Sequence, residues 1–293
     1  MGDELNPEAI AVSVVMPVGR VDDDLARQLD TLVAQTFSAP WELICSLNTG
    51  DRVERLLLEE LLGQRPQLRS QVVDSSDVRS ASHARNVGAA AAAGTLLLFC
   101  DGDDLAEPDW MDEMVKALES AGAVGGYLEE QLLAIPGQAG WRPEATPGGL
   151  PQFLGHPFLV TANMGVKREV FELVGGFDTT LIRGEDIALS WDLATNGVEL
   201  AYAPNAVIHY RHRKGLVPMM RQHYLYGRGF SQILARRGVP GASGTTGLRA
   251  LKPNGQAVAH KGLPYYLRRG SIALGRVTGL VEERALQRRR RAQ

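Results

Sequence analysis

Residues 10–18 read IAVSVVMPV, an apolar run rich in β-branched side chains, and predict a first strand. Asp22, Asp23 and Asp24 follow, with Leu25, Leu29, Leu32 and Val33 recurring at helical spacing, so a helix begins near the acids. A second strand over 41–47 ends in the turn Asn48-Thr49-Gly50-Asp51. A helix over 53–62 stops at Gly63, and a short strand over 71–74 comes next. Ser80 or Ser82 caps a helix that runs through the alanines at 89–93 and ends at Gly94. Leu96, Leu97, Leu98 and Phe99 are apolar without interruption, the mark of a strand buried on both faces. Strand and helix alternating in this way predict a mostly parallel, Rossmann-like α/β sheet flanked by helices.

Downstream, Pro108 suits the first position of a helix with Met111, Met114, Val115 and Leu118 on one face. Residues 136–151 hold four prolines and four glycines around Trp141, a loop that serves either as a lid or as a surface connection. The pattern then predicts a strand over 158–166, a short helix over 168–174 and a tight turn at Gly175-Gly176-Phe177-Asp178. A helix over 185–196 and two short strands, 200–203 and 206–210, separated by Pro204, follow. From about residue 216 the chain reads as a helical extension (219–234, 264–268, 272–286) broken by a loop over 238–247. The expected division is therefore 10–105 and 106–215 as two halves of a domain spanning 1–215, with 216–293 as a C-terminal extension.

A chain of 293 residues with 44% hydrophobic and 22% charged content has the make-up of one globular α/β domain plus an appendage. Its net charge of −3 argues against nucleic acid as a partner, which selects a basic surface. Cys45 and Cys100 both sit in strand-like runs and read as buried thiols of a reducing cytoplasm. The opening MGDELNPEAI lacks the layout of a signal peptide, and no apolar run reaches membrane-spanning length. A soluble cytoplasmic protein is expected, and its alanine- and arginine-rich usage suggests a bacterial source.

Chemistry concentrates where the apolar run 96–99 gives way to Asp101, Asp103 and Asp104. Carboxylates at the end of a parallel strand project into the crevice where open α/β sheets bind ligands. Asp-x-Asp can offer a hard divalent cation oxygen ligands while leaving coordination sites for a diphosphate. The same acids can equally form a turn that caps the next helix.

Five segments in order carry a resemblance: VSVVMPV at 12–18, ARNVGAAAAAG at 84–94, LLLFCDGDD at 96–104, VGGFDTTLIRGED at 174–186 and NGVELAYAPNAVIHYRHR at 196–213. Together they resemble the inverting family-2 glycosyltransferases of GT-A fold, over roughly residues 10–215. The resemblance implies a metal-dependent transfer of a sugar from a nucleoside-diphosphate donor to an acceptor hydroxyl. It implies that Asp103 coordinates Mn²⁺ or Mg²⁺ on the diphosphate, with Asp101 beside the ribose or the metal. Asp104 reads as a helix-start residue. Asp186 is implied as the general base and Glu185 as a group orienting it or the acceptor; alternatively both acids merely favour the helix N-terminus. His209, ahead of His212, is implied as a third metal ligand, and Arg213 as a cation against the diphosphate. Arg85 and Asn86 are implied near the base and ribose, or form a solvated helix face, and Pro17 belongs to the same donor site. Asn163 falls where the family often lines the acceptor or sugar pocket.

The chain also departs from that pattern. After Pro17, where many members have a uracil-stacking aromatic residue and then Asn, it has Val18-Gly19-Arg20; Leu47 replaces the usual base-binding Asp, and Ala188 and Asp192 replace a frequent Asp and Arg. The donor's base therefore stays open. The altered base site also admits a catalytically inactive GT-A domain acting as a nucleotide-binding or scaffold subunit, against which the intact Asp-x-Asp and Glu-Asp pairs count. A nucleotidyltransferase would want a glycine-rich basic loop after the first strand, which Pro17-Val18-Gly19-Arg20 supplies poorly.

In the extension, Met219, Met220, Tyr224, Leu225 and Phe230 alternate with arginines. They form either an amphipathic surface for the inner membrane face or a lipid-linked acceptor, or helices that pack back on the domain or make a homodimer. Residues 288–291, all arginine, read as a disordered basic end or a contact with anionic lipid. Expected partners are a nucleotide sugar and a hydroxyl-bearing acceptor (saccharide, glycolipid or small metabolite).

Overall fold

The computed structural model describes residues 9–138, 140–146, 148–239 and 262–291. Its first half follows the hydrophobic pattern closely: β1 (Val12–Val18), α1 (Asp23–Val33), β2 (Trp41–Leu47), α2 (Arg52–Gly63), β3 (Ser70–Asp74), α3 (Ala81–Ala91) and β4 (Leu96–Cys100). Each helix start is closed by the acid or hydroxyl before it. Asp22 accepts from the amides of Asp24 and Leu25, Asp51 from Val53, and Ser80, rather than Ser82, from His83. The four strands pair in parallel, β3-β2-β1-β4. A Cβ on Gly88 would lie 2.5 Å from Val15 Cγ1, so this glycine sets how closely α3 rides on β1.

The second half contributes β5 (Leu105–Ala106), α4 (Trp110–Leu118), β6 (Ala123–Glu129), β7 (Gln152–Phe153), β8 (His156–Pro157), β9 (Asn163–Lys167), α5 (Arg168–Leu173), α6 (Glu185–Thr195) and β10 (Leu200–His209). The large sheet has the order β3-β2-β1-β4-β9-β6-β10-β5, with β9 antiparallel to both of its neighbours. Here the structure corrects three expectations. β6 was not signalled, because Gly125 and Gly126 interrupt its apolar pattern; yet a Cβ on Gly126 would lie 2.3 Å from the Ala206 carbonyl oxygen, so packing demands the glycine. The strand expected over 158–166 begins only at Asn163. The two strands around Pro204 are one, β10, whose register slips between Ala203 and Val207. That slip is held by Asn163, whose Nδ2 donates to the carbonyls of Tyr127 and Ala206 while its Oδ1 accepts from Trp110 Nε1.

Two long helices follow, α7 (Leu216–Arg237) and α8 (Leu263–Arg291). The stretches expected at 264–268 and 272–286 form this single helix, which continues through Arg291 where a disordered end was one expectation. The loop expected over 238–247 lies outside the described residues beyond 239. Glycines bring the two helices together: a Cβ on Gly275 would lie 2.0 Å from the Tyr224 carbonyl oxygen and one on Gly227 2.1 Å from that of Ile272. In turn, α7 packs on the start of α6. Ile233 is buried with Leu181, Ile187 and Trp191, and Ile182 N donates to Gln232 Oε1 at 2.9 Å. No helix among the described residues is long and apolar enough to cross a membrane. Cys45 and Cys100 are free and buried.

Candidate active site

The ends of β1 and β4, the start of α6, the segment after β10 and the inner faces of α7 and α8 enclose one cavity of about 720 Å³. Asp101, Asp103 and Asp104 stand at the β4 end, and one carboxylate oxygen from each lies within 4.8 Å of the others. Asp104 is fully buried. Its Oδ1 accepts from Arg211 N at 2.7 Å and its Oδ2 has no hydrogen-bond partner among the described residues. Burial, then the charges of Asp101 and Asp103, push its carboxyl well above the usual range. Asp103 opens to the cavity, but the protein packed around it and the Asp101 charge push it up to about 6. Acids crowded enough to resist ionisation, one with an orphaned buried oxygen, fit a hard divalent cation. The helix-start role expected of Asp104 does not hold: α4 begins at Trp110, and Asp104 sits inside the acidic group.

Arg85 joins this group to α6. It is 3% exposed, its Nη2 lies 2.6 Å from Asp101 Oδ1, and its Nη1 lies 3.3 Å from Glu185 Oε1. Burial opposes its charge, but the two carboxylates outweigh that and raise its pKa. The solvated-face alternative for Arg85 is therefore removed. Asn86, one residue on, points elsewhere: its Oδ1 accepts from Phe177 N and its Nδ2 donates to Phe177 O, at 2.9 and 2.8 Å. That amide clamps α3 to the turn after α5, away from the cavity wall.

Gly184 takes a left-handed φ of 85° and turns the chain into α6, so that Glu185 and Asp186 both face the cavity. Asp186 Oδ1 accepts from Ile187 N at 2.8 Å. Burial and the adjacent Glu185 push its carboxyl up to about 7. A carboxylate tuned to neutrality in a cleft is suited to proton transfer.

Beyond β10 the structure reverses the expected order of the histidines. His209 does not join the acids: its Nδ1 and Nε2 lie 2.7 and 2.6 Å from Glu129 and Glu107, which use both ring nitrogens at the sheet edge. His212 lines the cavity instead, with Nε2 3.0 Å from Glu130 Oε2. The cause is the strand's end at His209, after which the chain crosses the cavity. Arg211 donates through Nε to the Asp103 carbonyl at 2.7 Å, and Arg213 is an exposed part of the wall. On the β1 side the wall is Pro17, Gly19 and Asn48, with no aromatic ring or carboxylate. Asn163 is 1% exposed and its amide is bonded within the core, so the expected pocket position is not observed. Local motifs gave no sign of Arg142, His223, Tyr226, Arg268 or Arg276, which complete the wall.

Residues 13–175, more than half the chain, match the family described as glycosyl transferase family 2. The chain belongs to that family. Relatives include the O-antigen biosynthesis protein RfbC of Myxococcus xanthus, 31% identical over 222 residues covering 68% of this chain and 17% of that protein. The glycosyltransferase AglE of Haloferax volcanii is 24% identical over 76% of this chain and 73% of its own length. Among solved structures, the Pyrobaculum calidifontis mannosyltransferase PcManGT, in complex with GDP-Man and Mn²⁺, superposes with a TM-score of 0.61 at 18% identity, covering 94% of this chain and 73% of that one. S. aureus TarS with UDP-GlcNAc gives a TM-score of 0.55 at 15% identity over 77% and 71%. These likenesses establish the GT-A fold. The match spans only 17% of the length of RfbC.

Proposed function

We propose that this family-2 protein is a metal-dependent, inverting glycosyltransferase that moves a sugar from a nucleoside diphosphate to an acceptor hydroxyl. The observation that carries the proposal is Asp186, a carboxylate pushed up to about 7, facing the same cavity as Asp101, Asp103 and Asp104. Asp186 takes the proton from the attacking hydroxyl, and Glu185, held by Arg85, positions it. Asp101, Asp103 and Asp104 would hold the divalent cation, which when bound offsets charge on the departing diphosphate. Arg213 assists from the wall, and Pro17 and Asn48 border the donor's base. Support for a nucleotide-sugar donor comes from the GDP-Man and UDP-GlcNAc bound to the two similar structures. The name of RfbC supports a glycan acceptor. Support for a peripheral membrane contact comes from α8, whose outer face exposes Leu263, Tyr266, Leu274, Val277 and Val281 along one line.

Asp186→Asn is expected to lower transfer about 10²- to 10⁴-fold while calorimetry shows nucleoside diphosphate and Mn²⁺ still bound. Undiminished turnover would remove Asp186 from the role. Binding without transfer in the wild-type protein, across a panel of donors, would favour the inactive nucleotide-binding subunit that the altered base site allows.

A further inference from the structure

The wall built by α7, α8 and the loop before β7 holds more positive charge than its carboxylates neutralise. Arg85 is paired with Asp101 and Glu185, Arg211 with Asp24, and His212 with Glu130. Arg142, Arg268 and Arg276 line the cavity without a carboxylate partner among the described residues. Arg268 is 9% exposed, and its Nε has no hydrogen-bond partner among the described residues. Its guanidinium lies 5.2 Å from the centre of the Tyr265 ring. Among the described residues Arg142 Nε is likewise buried without a hydrogen-bond partner, and its Nη2 donates to the Arg213 carbonyl at 3.0 Å. Arg276 lies over the Phe230 ring at 5.6 Å. All three line the same cavity. Burial lowers the pKa of all three, Arg142 lowers that of Arg268 further, and burial with both arginines behind it drives His223 down to about 4. Arginine cannot discharge itself by losing a proton in a protein. Partly desolvated guanidiniums with no carboxylate in contact among the described residues are completed by an anion.

We propose that Arg142, Arg268 and Arg276 form an anion subsite that recognises a phosphoryl group carried by the acceptor. The acceptor is favoured over the donor because Arg268 and Arg276 line the cavity from α8 and Arg142 from the loop before β7, whereas the acids at the β4 end have Arg211, bonded to the Asp103 carbonyl, beside them. A phosphoryl group is favoured over a carboxylate because its several oxygens can accept from the planar, multiply donating forks of more than one guanidinium. Phe230 and Ile272 lie beside the arginines and offer an apolar surface to whatever carries the phosphate. The word acceptor rests on the glycosyltransferase reading above; the anion subsite does not.

The test uses the full chain and calorimetry. UDP, GDP, dTDP and CDP are first titrated with Mn²⁺, which tests the glycosyltransferase reading separately. The protein, saturated with whichever nucleotide binds or bare if none does, is then titrated with n-octyl phosphate, n-octyl glucoside and inorganic phosphate. Octyl phosphate is expected to bind at least tenfold more tightly than octyl glucoside. Arg268→Gln and Arg276→Gln are each expected to weaken octyl phosphate at least tenfold and to leave nucleotide binding unchanged. Arg276 is half-buried, so its variant keeps the test decisive if Arg268→Gln fails to fold. Inorganic phosphate binding as well as octyl phosphate assigns a soluble phosphate ester, and much weaker binding assigns a lipid-like carrier; either retains the subsite. Equal affinity for octyl phosphate and octyl glucoside overturns the proposal. So does competition between octyl phosphate and the nucleotide, or loss of nucleotide binding in the arginine variants, either of which gives the arginines to the donor.

Discussion

Asp186 has two pH signatures of opposite use. As a base it must be ionised, so the rate of transfer is expected to rise about tenfold per pH unit and level off near pH 7, where its carboxyl titrates. A pH–rate profile checks this, and a plateau already reached at pH 5 would exclude it. For stability the sign is reversed. The folded-state value lies above the ordinary 3.8, so the folded protein holds the proton more tightly than the unfolded chain between those values. The stability so conferred is complete below about pH 4 and is lost as pH rises to about 7. Asp186→Asn is therefore expected to melt a few degrees above wild type at pH 8, with the gap closing toward pH 4. The neighbouring Arg85 predicts the opposite outcome. Arg85→Gln leaves Asp101 and Glu185 without their shared partner and is expected to cost about 3–5 kcal/mol in urea unfolding. Arg85→Lys rescues little, because one ammonium cannot span two carboxylates as a guanidinium fork does.

Among the elements, α3 shows how two adjacent side chains divide their work. Arg85 faces the cavity and Asn86 faces the turn after α5, where Gly176 takes a φ of 72° beneath its amide. Asn86→Ala is expected to lower stability by about 1–3 kcal/mol with nucleotide affinity unchanged; lost affinity at an unchanged melting temperature would return Asn86 to the donor site. The first four strands and their helices were legible because each rests on a local period and a neighbouring cap. β6 and the continuous β10 were not. Gly126 of β6 answers to Asn163 and the Ala206 carbonyl of its neighbouring strands, and Asn163 also bonds that carbonyl at the register slip of β10, contacts that no window of sequence contains.

For the whole molecule, the decisive packing is that of α8 on α7 and of α7 on the start of α6. Gly275 meets the backbone of α7 so closely that Gly275→Val must push the two helices apart. The expected result is a loss of about 1–3 kcal/mol in thermal unfolding, with a raised KM for the acceptor and an unchanged KM for the donor. Equal effects on both substrates would mean that these helices serve the cavity as a whole rather than the acceptor side. A net charge of −3 conceals this organisation, in which Arg268 and Arg276 of α8 line the same cavity as Asp101, Asp103, Glu185 and Asp186.

By itself the sequence determined the alternation of the first half, the acidic end of β4 and the Glu-Asp opening of α6. Periodicity, capping and short motifs are local, and a chain reports local physics directly. Tertiary structure alone decided that His212 rather than His209 reaches the cavity, that Asn86 and Asn163 brace the core, and that Asp104 joins the acids. It alone made the last two helices a wall of the site. Each of these depends on which distant group supplies a hydrogen bond or a charge, as Glu107 and Glu129 do for His209 and Phe177 does for Asn86. Those partners lie 80 to 102 residues from the side chains they hold, so only the folded chain brings them together.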